Sequence, residues 1–263
     1  MQYFLENHIY IVKYAFLMFF VSILIFLLIG WLYGRYRVSH SDKVATGDSL
    51  STAIYGLTAL VLAFSFSSAT DHYDKRMSLI HDQAHVLKQV YKSSNYLSST
   101  DRLMIQNNLK QILTLRISKY QNIKSMDELD RNNDALEASL TSLNEEINKA
   151  IARAPASTKD LADTILRTQL SHLIDIFQEG VLNGKRHPPQ IIERFLFALL
   201  STGALLSGYM MAVKKEEEWF LTSLYLGLMG ISLYVIFALE FPHLMHNPEL
   251  MNEDFLKLQR AWQ

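Results

Sequence analysis

The chain contains no cysteine, so disulfide bonds, cysteine-ligated metal centres and thiol nucleophiles are excluded. Glycine and proline are scarce, with 10 and 5 in 263 residues, which argues against a loop-rich or all-β chain. The 25 Lys and Arg are balanced by 26 Asp and Glu, so there is no basic excess to meet nucleic-acid phosphates. The sequence also shows no glycine-rich phosphate loop and no nucleophile elbow. We therefore expect no nucleic-acid partner, no cofactor and no enzymatic activity.

What the sequence does have is a set of long uncharged runs. Residues 14–33, 49–70, 195–213 and 219–239 each contain 19 to 22 residues without Asp, Glu, Lys, Arg or His. As a helix, each run is long enough to cross a hydrocarbon core about 30 Å thick. Charged residues close the runs, and Trp or Tyr lies near several of their ends, as at a lipid–water boundary. These four runs predict a multi-pass membrane protein surrounded by a lipid bilayer.

The segment between the second and third runs has a different composition. Residues 71–190 carry 31 of the 51 charged residues and are predicted to be water-soluble. Apolar positions recur there at steps of three and four, for example Ile105, Leu109 and Ile112, with Arg116 at the next step. The predicted fold is all-α, with four transmembrane helices and a helical-bundle soluble domain inserted between the second and third spans. The predicted boundaries are 1–70 for the first transmembrane hairpin, 71–190 for the soluble bundle, 191–240 for the second hairpin and 241–263 for a C-terminal tail.

The second run leads into the soluble segment without a break. Neither Gly nor Pro occurs from Thr70 to Lys92, and we expect one helix from about Ser51 to Tyr91. A kinked junction at the end of the run is the alternative.

The second run is also small and polar where the other three are bulky. Small residues let helices approach closely, and hydroxyl groups need partners away from water. Close packing inside one subunit explains this composition, and so does a pore-lining helix around a symmetry axis. In the pore-lining interpretation Gly56, Leu60 and Phe64 lie four apart on one face, and Ser67 and Ser68 extend the path. The Leu and Phe side chains form a hydrophobic constriction, and the hydroxyl groups keep the path wet beyond it.

The run GLTALVLAFSFSSATDHYDKR, residues 56–76, resembles the bestrophin-like family of bacterial integral membrane proteins. The family pattern is an apolar helix rich in Leu and Ala that runs into a charged aromatic segment, matched here by Asp71, Tyr73, Asp74 and Arg76. The family also ends its last span with an acidic residue, one other residue and Pro. Residues 240–242, Glu-Phe-Pro, are similar, with Glu where Asp is usual and without the Gly that commonly follows the Pro.

True bestrophins are pentameric anion channels whose second span lines a narrow neck. The resemblance therefore implies neck positions for Gly56, Leu60 and Phe64 in a homo-oligomer, with five subunits as in bestrophins, that passes chloride or another small inorganic ion. It also implies a bacterial inner-membrane location with the soluble domain in the cytoplasm. Bestrophins carry an acidic calcium clasp after the last span, and the segment with Asn252, Glu253 and Asp254 is similar. A solvated helix start is the alternative for these three residues.

A passive ion channel is the first functional hypothesis, because no ionisable group of the kind that pumps use lies inside the four runs. The alternative is a membrane-anchored scaffold or signalling protein whose helical domain binds a partner protein. Its motivation is a heptad-like surface, with Leu129, Leu136, Leu140, Leu143 and Ile147.

A metal-dependent membrane enzyme is the third hypothesis. His81 and His85 stand four apart on a predicted helix, a spacing that suits metal ligands, although HDQAH lacks the Glu of zinc peptidases. A solvent-facing pair is the alternative interpretation. His243 and His246 near Glu249 form a second, weaker metal candidate.

Overall fold

The structure, a computed structural model, describes residues 9–40, 48–119, 126–185, 190–215, 219–240, 242 and 251–263. Regular secondary structure in these ranges is helical, and no strand occurs within them. Short helical turns at Ser94–Tyr96, Lys159–Leu161 and Ala162–Leu166 accompany the longer helices. The longer helices are α1 (Ile9–His40), α2 (Asp48–Ser93), α3 (Ser99–Ser118), α4 (Met126–Ala152), α5 (Arg167–Lys185), α6 (Gln190–Lys214), α7 (Trp219–Glu240) and α8 (Glu253–Trp262). The all-α prediction is confirmed for the described part of the chain.

Four of these helices, α1, α2, α6 and α7, are long and apolar enough to cross a membrane. Each predicted run lies inside one of them. The second run and the segment after it belong to one helix, because α2 continues unbroken for 46 residues, about 70 Å. The prediction of a continuous helix is therefore confirmed.

The chain divides into two compact units, and α2 contributes to both. We call the first the bundle unit; its described residues are Ile9 and those in 74–119, 126–185 and 251–263. We call the second the apolar unit; its described residues lie in 10–73 and 190–242.

The core of the bundle unit forms from the apolar positions that recur every three or four residues, because this spacing turns one stripe of each helix inward. Members from four helices are almost completely buried, including Leu87, Ile105, Leu109, Leu143, Ile147, Leu170 and Leu173. The apolar stripe predicted for α3 is confirmed, and Arg116 lies buried at its end.

The start of α3 is fixed by a capping residue and an ion pair. Ser98 Oγ accepts a hydrogen bond from the backbone N–H of Asp101 at 3.2 Å and donates to its carboxylate at 2.8 Å. The same carboxylate accepts from Arg153 Nη2 at 2.6 Å, which connects α3 to the end of α4. The hydrogen bond from Arg153 holds the pKa of Asp101 below its ordinary value.

Helix α8 is part of the bundle unit, whereas the sequence predicts a separate tail from residue 241. Met251, Phe255 and Leu258 are buried in the bundle core. The Trp262 ring stacks on Tyr91 with 4.1 Å between ring centroids. These four residues of the C-terminal segment are spaced by four, three and four, so they share one helix face, and that face completes the core.

In the apolar unit, α1 and α6 pack closely through glycine. A Cβ atom at Gly30 would overlap the carbonyl oxygen of Leu205, and one at Gly208 would overlap the carbonyl oxygen of Leu27. The pair Gly30 and Gly34 forms the small-xxx-small pattern that permits such contact between helices. The surrounding core consists of Ile23, Leu27, Leu196, Leu200, Ala204, Leu226 and Leu233.

Candidate functional site

The face of α2 that was predicted to line a pore is open in the single chain. Leu60 is 53% exposed and Phe64 is 66% exposed, and Gly56 and Ser67 are exposed beside them. No atom from another helix within the described chain lies within 4 Å of the position of a Cβ at Gly56. Ser68 is half-buried, because it lies about 100° farther around the helix than Ser67. We call the four exposed residues the outward face of α2.

The opposite face of α2 is polar and buried. Thr58 is 1% exposed, and its hydroxyl donates to the carbonyl of Ile54 at 2.7 Å. Ser65 similarly donates to the carbonyl of Val61 at 2.9 Å. Each hydroxyl is satisfied by its own helix one turn back, as apolar surroundings require. Packing inside one subunit therefore explains Thr58 and Ser65 but not the small residues of the outward face.

Tyr55 connects the buried face of α2 to α6 and α7. Its hydroxyl lies 2.8 Å from the hydroxyl of Ser207, and its ring meets Tyr225 edge-on with 6.3 Å between centroids. Gly203 of α6 lies beside the ring, and a Cβ there would meet it at an ordinary van der Waals distance of 3.6 Å. Sequence reasoning did not single out this contact.

His72 and Glu240 form a second polar contact between α2 and α7. Nδ1 of His72 lies 3.2 Å from Oε2 of Glu240, and the Glu240 side chain is only 5% exposed. Both side chains lie in the segments on which the family resemblance depends. The sequence gives no sign of the contact itself, because the partners are 168 residues apart. Phe241, the middle residue of the acidic–x–Pro pattern, lies outside the described residues.

The outward faces of the other apolar helices differ from that of α2. Bulky side chains are exposed on α1 and α7, including Met18, Ile25, Leu32, Phe220, Leu224, Leu228 and Ile231. Besides its Leu and Phe side chains, the apolar part of α2 exposes Thr52, Ala53, Gly56, Ala59, Ala63 and Ser67. Bulky apolar faces suit lipid chains, whereas small residues permit close approach of another helix.

The three calcium candidates are each engaged by other residues of the chain. Asn252 is buried, accepts from Arg116 at 3.3 Å and donates to the carbonyl of Ile117. Glu253 pairs with Lys257 at 2.8 Å. Asp254 contacts His81 at 3.0 Å, and that hydrogen bond, with the charge of Lys257, holds the pKa of Asp254 below its ordinary value. Lys257 contacts both Glu253 and Asp254, whereas Asn252 is engaged by Arg116 and Ile117, so the three residues do not form one shared set of calcium ligands.

The histidine candidates are engaged separately. His81 is exposed and faces Asp254, whereas Nε2 of His85 lies 2.9 Å from the side-chain amide of Gln89. In the described ranges, no three His, Cys, Asp or Glu side chains are grouped to hold a metal ion. His243, His246 and Glu249 lie outside those ranges.

The heptad-like surface of α4 faces its own bundle. Leu136, Leu140, Leu143 and Ile147 are buried in the core of the bundle unit. Only Leu129 is partly exposed. These leucines are therefore unavailable to a partner protein.

A buried polar cluster, which sequence reasoning missed, holds α8 in the bundle unit. Arg116 is 4% exposed; its Nε donates to Gln83 at 3.2 Å, and its guanidinium lies 4.7 Å from the centre of the Phe255 ring. Gln83 in turn donates to the carbonyl of Ile176 at 3.1 Å, and Gly180 leaves space for its amide. The cluster joins α2, α3, α5 and α8. An arginine on an otherwise apolar stripe was the available signal.

Comparison with protein-family models, with curated proteins and with solved structures finds no match to the chain.

Proposed function

We propose that the protein is the subunit of a homo-oligomeric passive ion channel of the bestrophin-like type, in which α2 lines the path. In this proposal α1, α2, α6 and α7 span a bacterial inner membrane, with the bundle inserted between the second and third spans on the cytoplasmic side. The subunit number is five if the resemblance extends to the assembly.

The outward face of α2 carries the proposal. It combines exposed small residues with exposed Leu60 and Phe64, whereas α1 and α7 expose bulky apolar chains. Copies of α2 that surround an axis remove this face from lipid, and the bulky faces of α1 and α7 remain available to lipid. Among the described residues, no other helix of the apolar unit covers the outward face.

The residues suggest how such a path conducts. Leu60 and Phe64 from each copy form apolar rings that close the path by excluding water, and Ser67 supplies hydroxyl groups beyond them. The four runs contain no carboxylate, Lys, Arg or His, so ions move down their gradient without a proton relay. The resemblance favours an anion such as chloride.

Flux through the purified protein in liposomes tests the proposal. We expect chloride efflux that depends on the protein, with Phe64→Ala raising the rate about tenfold because it widens the apolar ring. Leu224→Ala, which shortens an exposed side chain on α7, is the matched control and should leave the rate unchanged.

Absence of flux for chloride, other small anions and alkali cations, at every voltage applied, would end the proposal. A subunit count of one in native lipid would do the same. The scaffold alternative receives no support here, because the leucines that motivated it are buried in their own bundle.

A further inference from the structure

We propose that two hydrogen-bonded contacts, Tyr55–Ser207 and His72–Glu240, hold α2 in the orientation that closes the path. We call these two contacts the latches. This inference rests on the proposed function, because it concerns how the path along α2 is opened. Neither contact belongs to the outward face, so the latches act on the path through the orientation of the helix.

The latches lie behind the constriction. Tyr55 and His72 are 17 residues apart, about 25 Å along the helix, and they bracket Leu60 and Phe64. One latch joins α2 to α6, and the other joins α2 to α7. Together they fix both the rotation and the position of the helix between them.

Apolar packing holds this part of α2 weakly. In its apolar window 11% of the residues are buried, as in α7, against 44% in α6. The contacts behind it combine small groups, Thr58 and Ala69 on α2 and Gly203 on α6, with Val61 and Leu62, which pack against the core of the apolar unit. Because so few side chains are buried, the two directional polar contacts take a large share in setting the orientation of the helix.

The outward side of α2 offers two neighbouring strips. Leu57, Leu60 and Phe64 make a bulky strip, and a rotation of about a quarter turn leads to a small strip. The small strip consists of Thr52, Ala59, Ala63 and Ser67, all exposed. With the bulky strip at the axis the path is closed, and with the small strip there it is wide and lined by hydroxyl and methyl groups. When the two hydrogen bonds break, α2 can rotate, and the small strip replaces the bulky strip at the axis.

The absence of cysteine allows a direct test. Ala63→Cys places one thiol on the small strip, and its reaction with a charged, water-soluble thiol reagent is followed in liposomes beside chloride flux. Tyr55→Phe removes only the latch hydroxyl, and His72→Phe removes the ring nitrogens. A hydrogen bond inside a membrane protein shifts a population about threefold, so each variant should raise both rates about threefold.

Controls separate a latch from a general loss of structure. Tyr33→Phe also removes a tyrosine hydroxyl, from an exposed ring on α1, and should change neither rate. Ser207→Ala breaks the first latch from the other side, so Tyr55→Phe and Ser207→Ala together should match either one alone. This pair keeps the test decisive even if His72→Phe fails to fold.

The outcomes also separate this inference from the proposed function. If flux and thiol reaction are measurable but no latch variant changes either rate, the latch proposal is wrong and the channel proposal is unaffected. If neither the wild-type protein nor any variant passes chloride, and the thiol of Ala63→Cys never reacts, both the channel proposal and the latch proposal are wrong.

Discussion

Arg116 shows how one polar residue determines which helices share a core. A buried guanidinium must have hydrogen-bond partners, and here they come from α2 and α8, with an aromatic ring of α8 against its face. The residue therefore fixes two of the neighbours of α3, namely α2 and α8. Leucine at this position would bury more apolar surface but would not distinguish one helix from another.

Replacement of Arg116 by Ala should destabilise the bundle unit by about 3 kcal/mol, because two hydrogen bonds to a buried charge are lost. Trp262 reports on this unit once Trp31 and Trp219 are changed to Phe, so its fluorescence during denaturant unfolding measures the loss. Arg131→Ala, at an exposed position on α4, is the control. An equal effect of both substitutions would contradict the role of Arg116.

Asp101 should make the bundle unit sensitive to acid. Its folded pKa is lowered by the hydrogen bond from Arg153, so its contribution is complete above the unfolded pKa of about 4. That contribution is lost as the pH falls through the lower folded value. Asp101→Asn should therefore reduce thermal stability at pH 7, and the difference from wild type should shrink below about pH 4.

The exposed Asp134 provides the matching control. Asp134→Asn should leave the thermal midpoint unchanged at pH 7. A difference between Asp101→Asn and wild type that stays constant down to pH 2 would show that the carboxylate charge is not responsible.

Residue-level contacts of this kind were mostly beyond prediction from the sequence. The burial of Arg116 follows from its position on the apolar stripe of α3, so the sequence indicates the residue. It does not indicate Asn252, which is 136 residues away, or the pairing of His72 with Glu240. Such partners depend on which helices become neighbours, and helical periodicity describes only one helix at a time.

At the scale of the element, prediction from the sequence was much more successful. Long uncharged runs identify α1, α2, α6 and α7, because length and hydropathy are local properties. The absence of Gly and Pro from Thr70 to Lys92 predicted the continuity of α2 for the same reason. The assignment of α8 was missed, although the spacing of Phe255, Leu258 and Trp262 already describes an apolar face.

Glycine at the α1–α6 crossing gives a prediction at this scale. Gly30→Ala places a methyl group where the Leu205 carbonyl lies, so we expect a loss of about 2 kcal/mol from overpacking. Gly227→Ala on α7 meets open space and should be neutral or slightly stabilising, because alanine favours a helix. Thermal unfolding in detergent compares the two, and equal losses would contradict the close crossing.

For the whole molecule, the proposed assembly assigns some exposed surfaces to lipid and others to contacts between copies. In the single chain the Phe64 side chain is 66% exposed, more than most apolar side chains of α1, α2, α6 and α7. A homo-oligomer in which α2 surrounds the axis accounts for this exposure. The single chain exposes Gly56, Leu60, Phe64 and Ser67 and half-buries Ser68. The prediction that these residues line a pore stays a prediction.

Cross-linking in native membranes tests that assembly. Leu60→Cys gives the cysteine-free chain a single thiol on the outward face of α2, and oxidation should link copies as dimers. Leu224→Cys, with similar exposure on α7, should remain monomeric because it faces lipid. Dimers from Leu224→Cys alone would place α7, and not α2, between subunits.

Helix α8 has a consequence for biosynthesis. Phe255 completes a core whose other helices end at Lys185, so roughly 70 residues, including two apolar helices, are translated before that core can close. At ordinary elongation rates the delay is on the order of 10 s. During this interval Arg116 lacks its partners Asn252 and Phe255, and the nascent chain presents an unfinished apolar groove to cellular chaperones.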